Sequence, residues 1–410
     1  MSGVADNALG LYLSIPFCRS KCTYCNFASG VYPASQHERY VDRVIEDLHG
    51  APAWAAEIDA ELPRLVDTIY FGGGTPSLLA PELVSRLFDA IRAAFTLDAD
   101  AEITMECAPG QISDATLDAM VAAGVNRVSL GVQSFIDREA QSSGRLHNRA
   151  IVEQDLHRLR QAGVTNLNVD LIAGLAGQTF DSWQQSLTTL IDSGVPHASV
   201  YMLEVDEDSR LGRELLAGGT RYRAELVPAD EAIARMYERA IERLSAAGLD
   251  QYEISNFAAP HFQSRHNLRY WQRRPYLGLG LDASSALYAR QEERRSNTRF
   301  LLRTKTTDAL ADYLAGPQPV ETAWLSPARQ HEEAWFLGLR LNAGVSVTAL
   351  EDEFGREMIA PALKAAERMI EAGLLSSEAE IIHLTGQGRL LSNDIFQEFL
   401  ELAGETAAAR

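Results

Sequence analysis

The chain repeats one local plan three times in succession: a helix-length segment, a glycine, then a short β-branched run. Ala123-Gly124-Val125 leads into NRVSLGVQS, Ala162-Gly163-Val164 into NLNVDLIAG, and Ser193-Gly194-Val195 into HASVYMLEV. A glycine at that point can take the left-handed conformation that closes a helix, and the apolar run behind it fits a buried strand. Upstream, LGLYLSIPF, VDTIYFGGG and AEITMECAP read as three more buried strands, each followed by a turn and a helix-length segment. Six strands alternating with helices call for parallel pairing through helical crossovers. The pattern therefore predicts an α/β fold, a partial (β/α)6 barrel, with ligand chemistry gathered at the C-terminal ends of the strands.

At 410 residues the chain has room for two to three domains. The barrel is expected over 1–220. A second region over 221–315 opens with a helix expected from Glu225 to Ala247 and then turns irregular and aromatic-rich. The third, over 316–410, begins at Gly316-Pro317-Gln318-Pro319. It carries SPARQHEEAWFLGLRL, VTALEDEFG and IAPALKAAERMIEAGLL as helices, IIHLTGQGRLLSN as a hairpin, and a closing helix. Three helices with a β-wing predict a C-terminal winged-helix-like α+β domain. Its acidic balance favours protein contact or a lid over DNA. Across the chain, 56 Asp and Glu against 37 Lys and Arg leave a net charge of −19, so no nucleic-acid partner is expected. No apolar run approaches the roughly 18 residues of a membrane span, and MSGVADNALG has neither a basic nor an apolar leader segment. A cytoplasmic protein is expected, any membrane contact being made through a partner.

Of four cysteines, three fall within eight residues, as Cys18-x3-Cys22-x2-Cys25, directly after the first strand. Three thiolates on one short loop can each ligate one iron of a [4Fe–4S] cluster, leaving the fourth iron open to a small chelator. A structural zinc site would want a fourth protein ligand, and His37 and Cys107 are the nearest candidates beyond the loop. Tyr24 and Phe27, beside the cysteines, are expected to shield the cluster or, equally, to serve as plain packing. Gly72-Gly73-Gly74-Thr75-Pro76 ends the second strand, where glycines let backbone N–H groups approach a ligand. Glu106, Gln133 and Asp170 end the third, fourth and fifth strands as a ring of polar groups, and Arg145 follows the fourth.

LYLSIPFCRSKCTYCNF resembles the signature of radical S-adenosylmethionine (SAM) proteins. The resemblance implies that the amine and carboxylate of SAM chelate the open iron, and that reduction splits SAM to a 5′-deoxyadenosyl radical. More narrowly, the chain is similar to the oxygen-independent coproporphyrinogen dehydrogenase group. That likeness implies SAM contacts at Tyr12, at the loop of Gly73, Gly74 and Thr75, and at Glu106, Gln133, Arg145 and Asp170, the last at the ribose. The dehydrogenase pattern has a further cysteine where Phe27 stands, and an N-terminal extension not seen here. Cx3Cx2CxF and the HNxxYW box, His266-Asn267-Leu268-Arg269-Tyr270-Trp271, resemble instead the HemW-type heme chaperones. YLGLGLDASS departs from that subfamily's pattern at Asp282 and Ser284.

This likeness implies a [4Fe–4S] cluster, SAM and heme as cofactors, and a protein that binds heme and delivers it to hemoproteins. An electron donor for the cluster and a homodimer belong to the same expectation. The alternative is a radical SAM enzyme acting on a porphyrin, like the dehydrogenase, or a related methyltransferase.

The box has its own chemistry. A neutral imidazole at His266 can ligate heme iron while Tyr270 and Trp271 supply flat apolar surface. The same residues can equally pack one helical face against the barrel, with Asn267 capping. Between Gln263 and Lys305, nine Arg and one Lys face only Asp282, Glu292 and Glu293, a local excess of seven positive charges. Arg265, Arg269, Arg273 or Arg274 is therefore expected to pair with the heme propionates. A solvated basic face or a dock for an acidic partner would explain the excess as well.

Overall fold

The computed structural model describes residues 8–290, 299–316 and 321–400. The six expected strands form β1 (Leu9–Ile15), β2 (Leu65–Gly73), β3 (Thr96–Cys107), β4 (Arg127–Gln133), β5 (Asn166–Ala173) and β6 (His197–Met202), parallel and in sequential order. Gly124, Gly163 and Gly194 adopt φ of 92°, 90° and 64°, so each closes its helix as the repeat predicted. Crossover helices Ala34–Glu57, Pro81–Ala94, Asp114–Ala122, Arg149–Gln161 and Phe180–Asp192 return the chain to the start of the next strand. Their apolar faces, with Val44, Leu87, Phe88, Leu156 and Trp183 fully or nearly fully buried, pack on the outside of the curved sheet. Register then sets the inner face: Tyr12 lies beside Tyr70, Glu106 beside Ser129, and Gly131 beside Asp170.

The region expected as a separate extension over 221–315 is instead woven into the same sheet. β7 (Asp250–Gln251) and β8 (Asn256–Ala258) add antiparallel strands next to β6. β9 (Tyr276–Gly280) pairs parallel with β1, followed by antiparallel β10 (Ser284–Tyr288), β11 (Leu301–Lys305) and β12 (Glu321–Leu325). The twelve-stranded sheet thus runs across both boundaries drawn from the sequence. The helix expected over 225–247 spans Asp230–Ala246, because Val227, ahead of Pro228, is held extended.

The C-terminal region has its own core of Trp335, Phe354, Ile359, Ile382 and Phe399. Helices Pro327–Gly338, Val347–Phe354 and Arg356–Glu371 pack with a small antiparallel sheet of β13 (Val345–Ser346), β14 (Leu375–Glu378) and β15 (Ile381–Leu384). The wing lies earlier than expected. Ala379 and Glu380 turn the β14–β15 hairpin with φ of 49° and 63°, and Gly386–Leu390, expected inside the hairpin, is helical. Nothing in that pair of residues announces a turn, which is why the sequence pattern misplaced it.

Candidate cofactor site

The cysteine loop leaves β1 and is closed by its own backbone: Cys18 N–H donates to Gly30 O at 2.9 Å and Gly30 N–H to Pro16 O at 2.8 Å. Cys18, Cys22 and Cys25 are free thiols lining one cavity of about 340 Å³ at the C-terminal ends of the strands. Each has a polar neighbour. Thr75 Oγ1 lies 3.9 Å from the Cys18 sulfur, Ser29 Oγ 3.9 Å from that of Cys25, and Arg145 Nη1 3.8 Å from that of Cys22. Among the described residues no three His, Cys, Asp or Glu side chains converge on one point to hold a single ion. A cubane cluster makes a different demand, three thiolates spread over three irons, and this loop fits it.

The glycine loop after β2 works differently from the expectation. Gly74 N–H donates to Ile15 O and Thr75 N–H to Phe17 O, both at 2.8 Å, so neither is free for a ligand. A Cβ on Gly74 would sit 2.7–2.9 Å from the backbone of Ile15 and Phe17. Glycine is required there because this loop packs directly on the strand that launches the cysteines. Gly73, at φ 98°, turns its N–H toward the Glu106 carboxylate.

Glu106, Gln133, Arg145 and Asp170 all line the cavity, as do Phe27, Gly73, Gly74 and Thr75. Tyr70 Oη donates to Glu106 at 2.8 Å; Asn168 Nδ2 and Ser129 Oγ donate to Asp170 at 2.7 and 3.2 Å. Burial, with the Asp170 charge second, pushes the Glu106 carboxyl up to about 7. Burial also raises Asp170. Two carboxyls whose ionisation is opposed in this way favour a ligand that brings positive charge. Arg145 donates to the Gly131 carbonyl and lies where any Cβ on Gly131 would collide. Gln133 ends β4 at φ 70°, a left-handed conformation uncommon outside glycine that turns the chain at the cavity wall. SAM carries a sulfonium and an ammonium, and the residues present suit it.

Two expectations change. Tyr12 is not in the cavity wall; its ring stacks on Tyr70 at 6.2 Å, behind Glu106. Phe27 is 63% exposed on the rim, so it does not shield the loop, whereas Tyr24 is half-buried in the wall. Tyr70, Ser129 and Asn168 were missed from sequence. Only their alternation with Tyr12, Glu106 and Asp170 along the inner face could have flagged them.

Comparison with known proteins agrees with this geometry. Residues 12–190 match the Radical SAM superfamily and residues 325–391 the HemN C-terminal domain. Among curated proteins, "Heme chaperone HemW" of Lactococcus lactis is 31% identical over 389 residues, covering 95% of this chain and 96% of the relative. The protein of the same name from Bacillus subtilis is 32% identical over 390 residues, 95% and 98% of the two chains. The chain belongs to the HemW family. Of solved structures, coproporphyrinogen III oxidase (HemN) from Escherichia coli superposes with a TM-score of 0.79 over 96% of this chain and 90% of its own. At 23% identity that likeness speaks for the fold.

The box that distinguished HemW from the dehydrogenase in sequence lies at the other end of the barrel. It forms the short helix Arg265–Trp271, seated against the early parts of β1, β2 and β3. His266 is 0% exposed, with Nδ1 2.9 Å from Thr68 Oγ1 and Nε2 2.8 Å from Tyr270 Oη. Both ring nitrogens are used, so the expectation of His266 as a heme ligand is not met; burial keeps the imidazole neutral. The cap is Ser264 rather than Asn267: Ser264 Oγ accepts the Asn267 N–H at 3.3 Å. Glu102 accepts the Arg265 and His266 N–H groups at 3.1 and 3.0 Å, satisfying the helix N-terminus.

The basic island is likewise paired. Arg269 is fully buried and donates to Asp67, to the carbonyls of Ala8 and Pro275, both at 2.8 Å, and to Thr68 Oγ1 at 3.2 Å. Arg274 meets Asp67 at 2.9 Å, Arg273 holds Glu353 at 3.0 and 2.5 Å, and Arg265 donates to Asp100 O at 2.6 Å. The propionate role expected of these four arginines is therefore corrected to a structural one. Glu292, Glu293, Arg294 and Arg295, counted in the same charge excess, lie outside the described residues.

Proposed function

We propose that this protein binds heme and hands it to recipient hemoproteins, with a [4Fe–4S] cluster and SAM held in the barrel cavity. The observation that carries the reading is Phe27. It stands exposed on the cavity rim where the dehydrogenase pattern has a cysteine, in a chain that matches curated heme chaperones over nearly its whole length. Cys18, Cys22 and Cys25 would hold the cluster. Glu106 and Asp170 would meet the positively charged and ribose parts of SAM, with Thr75, Gln133 and Arg145 closing the wall. When bound, the pair supplies one-electron SAM cleavage, and an electron donor would be required for it. SAM could also favour a homodimer.

A radical enzyme acting on a porphyrin is the second reading, supported by Glu106, Gln133, Arg145 and Asp170 lining the cavity with the three cysteines. Among the described residues no helix is long and apolar enough to cross a membrane. The test is anaerobic: load the cluster, add SAM and reductant, then follow heme binding, 5′-deoxyadenosine release and coproporphyrinogen loss in parallel. Heme uptake without porphyrinogen conversion is expected. Stoichiometric conversion to protoporphyrinogen overturns the chaperone reading.

A further inference from the structure

Between the cavity and the HNLRYW helix runs an unbroken line of buried hydrogen bonds. Ser264 N–H meets Tyr252 Oη at 3.1 Å, and Tyr252 Oη meets His197 Nε2 at 2.9 Å. His197 Nδ1 meets Asn168 Oδ1 at 2.6 Å, and Asn168 Nδ2 meets Asp170 Oδ1 at 2.7 Å. His197 is 0% exposed and Asn168, Ser264 and Tyr252 are buried.

With Asp170 ionised, the directions follow from the carboxylate outward. The Ser264 backbone N–H can only donate, so the Tyr252 oxygen accepts from it, and the Tyr252 proton goes to His197 Nε2, the ring nitrogen left without one. His197, kept neutral by burial and then by Arg127, carries its one ring proton on Nδ1 and gives it to the Asn168 carbonyl. The ionised Asp170 fixes the Asn168 amide with its NH2 toward the carboxylate; the flipped amide would set two acceptors against each other there. All donors therefore point toward the carboxylate, and each bond polarises the next. Asn168 Nδ2 also reaches Ser129 Oγ at 2.7 Å, whose hydroxyl donates to the second Asp170 oxygen at 3.2 Å.

We infer that His197 and Tyr252 are positioning residues that hold Asp170 for the SAM ribose, anchored on the cap of the HNLRYW helix. The box then serves the SAM site from behind. This inference rests on Asp170 being the ribose carboxylate, which the test checks separately.

In cluster-loaded protein, binding is measured for SAM and for an analogue whose ribose hydroxyls are both replaced by hydrogen. Asp170→Asn and Tyr252→Phe are each expected to weaken SAM about tenfold, the scale of one lost charged hydrogen bond, and to leave the analogue unchanged. His197→Gln, which can donate to Asn168 and accept from Tyr252, should retain affinity that His197→Leu loses. If Asp170→Asn leaves SAM binding intact, the ribose assignment fails and takes the relay with it. If Asp170→Asn weakens SAM but Tyr252→Phe and His197→Leu do not, the relay alone is overturned. Equal losses for SAM and the analogue in Tyr252→Phe would also overturn it, showing a general structural effect.

Discussion

The two motifs that stand out in this sequence sit at opposite ends of one barrel and differ in what their polar groups have left to offer. In the cysteine cavity, the three loop thiols are free and two carboxyls are held against ionisation, so capacity for metal and for positive charge is unspent. In the HNLRYW helix, His266 and Arg269 are as buried as any leucine and their donors are matched, from Thr68 and Tyr270 to Asp67. Residue type alone does not separate the two. A histidine beside arginines and aromatics reads as a ligand site until its partners are counted, and here Thr68 and Asp67, which hold His266 and Arg269, lie roughly 200 residues away in sequence.

The contrast is sharpest under mutation. Cys22→Ala should abolish the cluster outright, seen as loss of its visible absorbance and of SAM binding, while heme uptake and fold persist. Loss of heme uptake in the same variant would mean that the two ligands share a site. Arg269→Met should act on the fold instead. Asp67, whose side chain is 2% exposed, would lose its closest cation and keep Arg274 at 2.9 Å and Arg265 at 3.7 Å. Breaking a buried pair from one side costs about 3 kcal/mol, readable as a lower denaturant midpoint. Heme affinity per folded molecule should not change. A midpoint shift worth less than about 1 kcal/mol would show that Arg274 alone satisfies Asp67.

What could be read beforehand follows the same division. The repeat of helix, glycine and strand contains its own punctuation, so β1–β6 and the positions of Glu106, Gln133 and Asp170 at or near their strand ends were legible. The cysteine spacing is local too. The HNLRYW box was legible as a motif but not as a contact. Its charge excess was summed along the chain, whereas Asp67 and Glu353 reach it through the fold. The joining of residues 250–325 to both edges of the sheet depends on strand pairing between distant segments. The β14–β15 turn depends on left-handed Ala379 and Glu380, residues whose types do not ask for that conformation.

Smaller effects test whether the cavity's carboxyls are as strained as their surroundings imply. Glu106 titrates near 7 in the folded, ligand-free protein and near 4.5 when unfolded, so the folded state holds its proton more tightly. The wild type should therefore lose stability as pH rises through that window, while Glu106→Gln, with nothing to ionise, should not. The variant should gain roughly 2–3 kcal/mol relative to the wild type at about pH 8 and almost nothing at about pH 4, measured by urea unfolding of the metal-free chain. A constant difference across that range would return Glu106 to an ordinary carboxylate. At the other end of the barrel, Arg265→Gln should scarcely register. Its side chain is 35% exposed and its guanidinium lies 3.7 Å from Asp67, an ion pair worth less than about 1 kcal/mol. Any larger loss must come through its bond to Asp100 O, which Arg265→Lys would partly keep. A drop in heme affinity with unchanged stability would instead reopen this arginine, alone of the four, as a partner for a propionate.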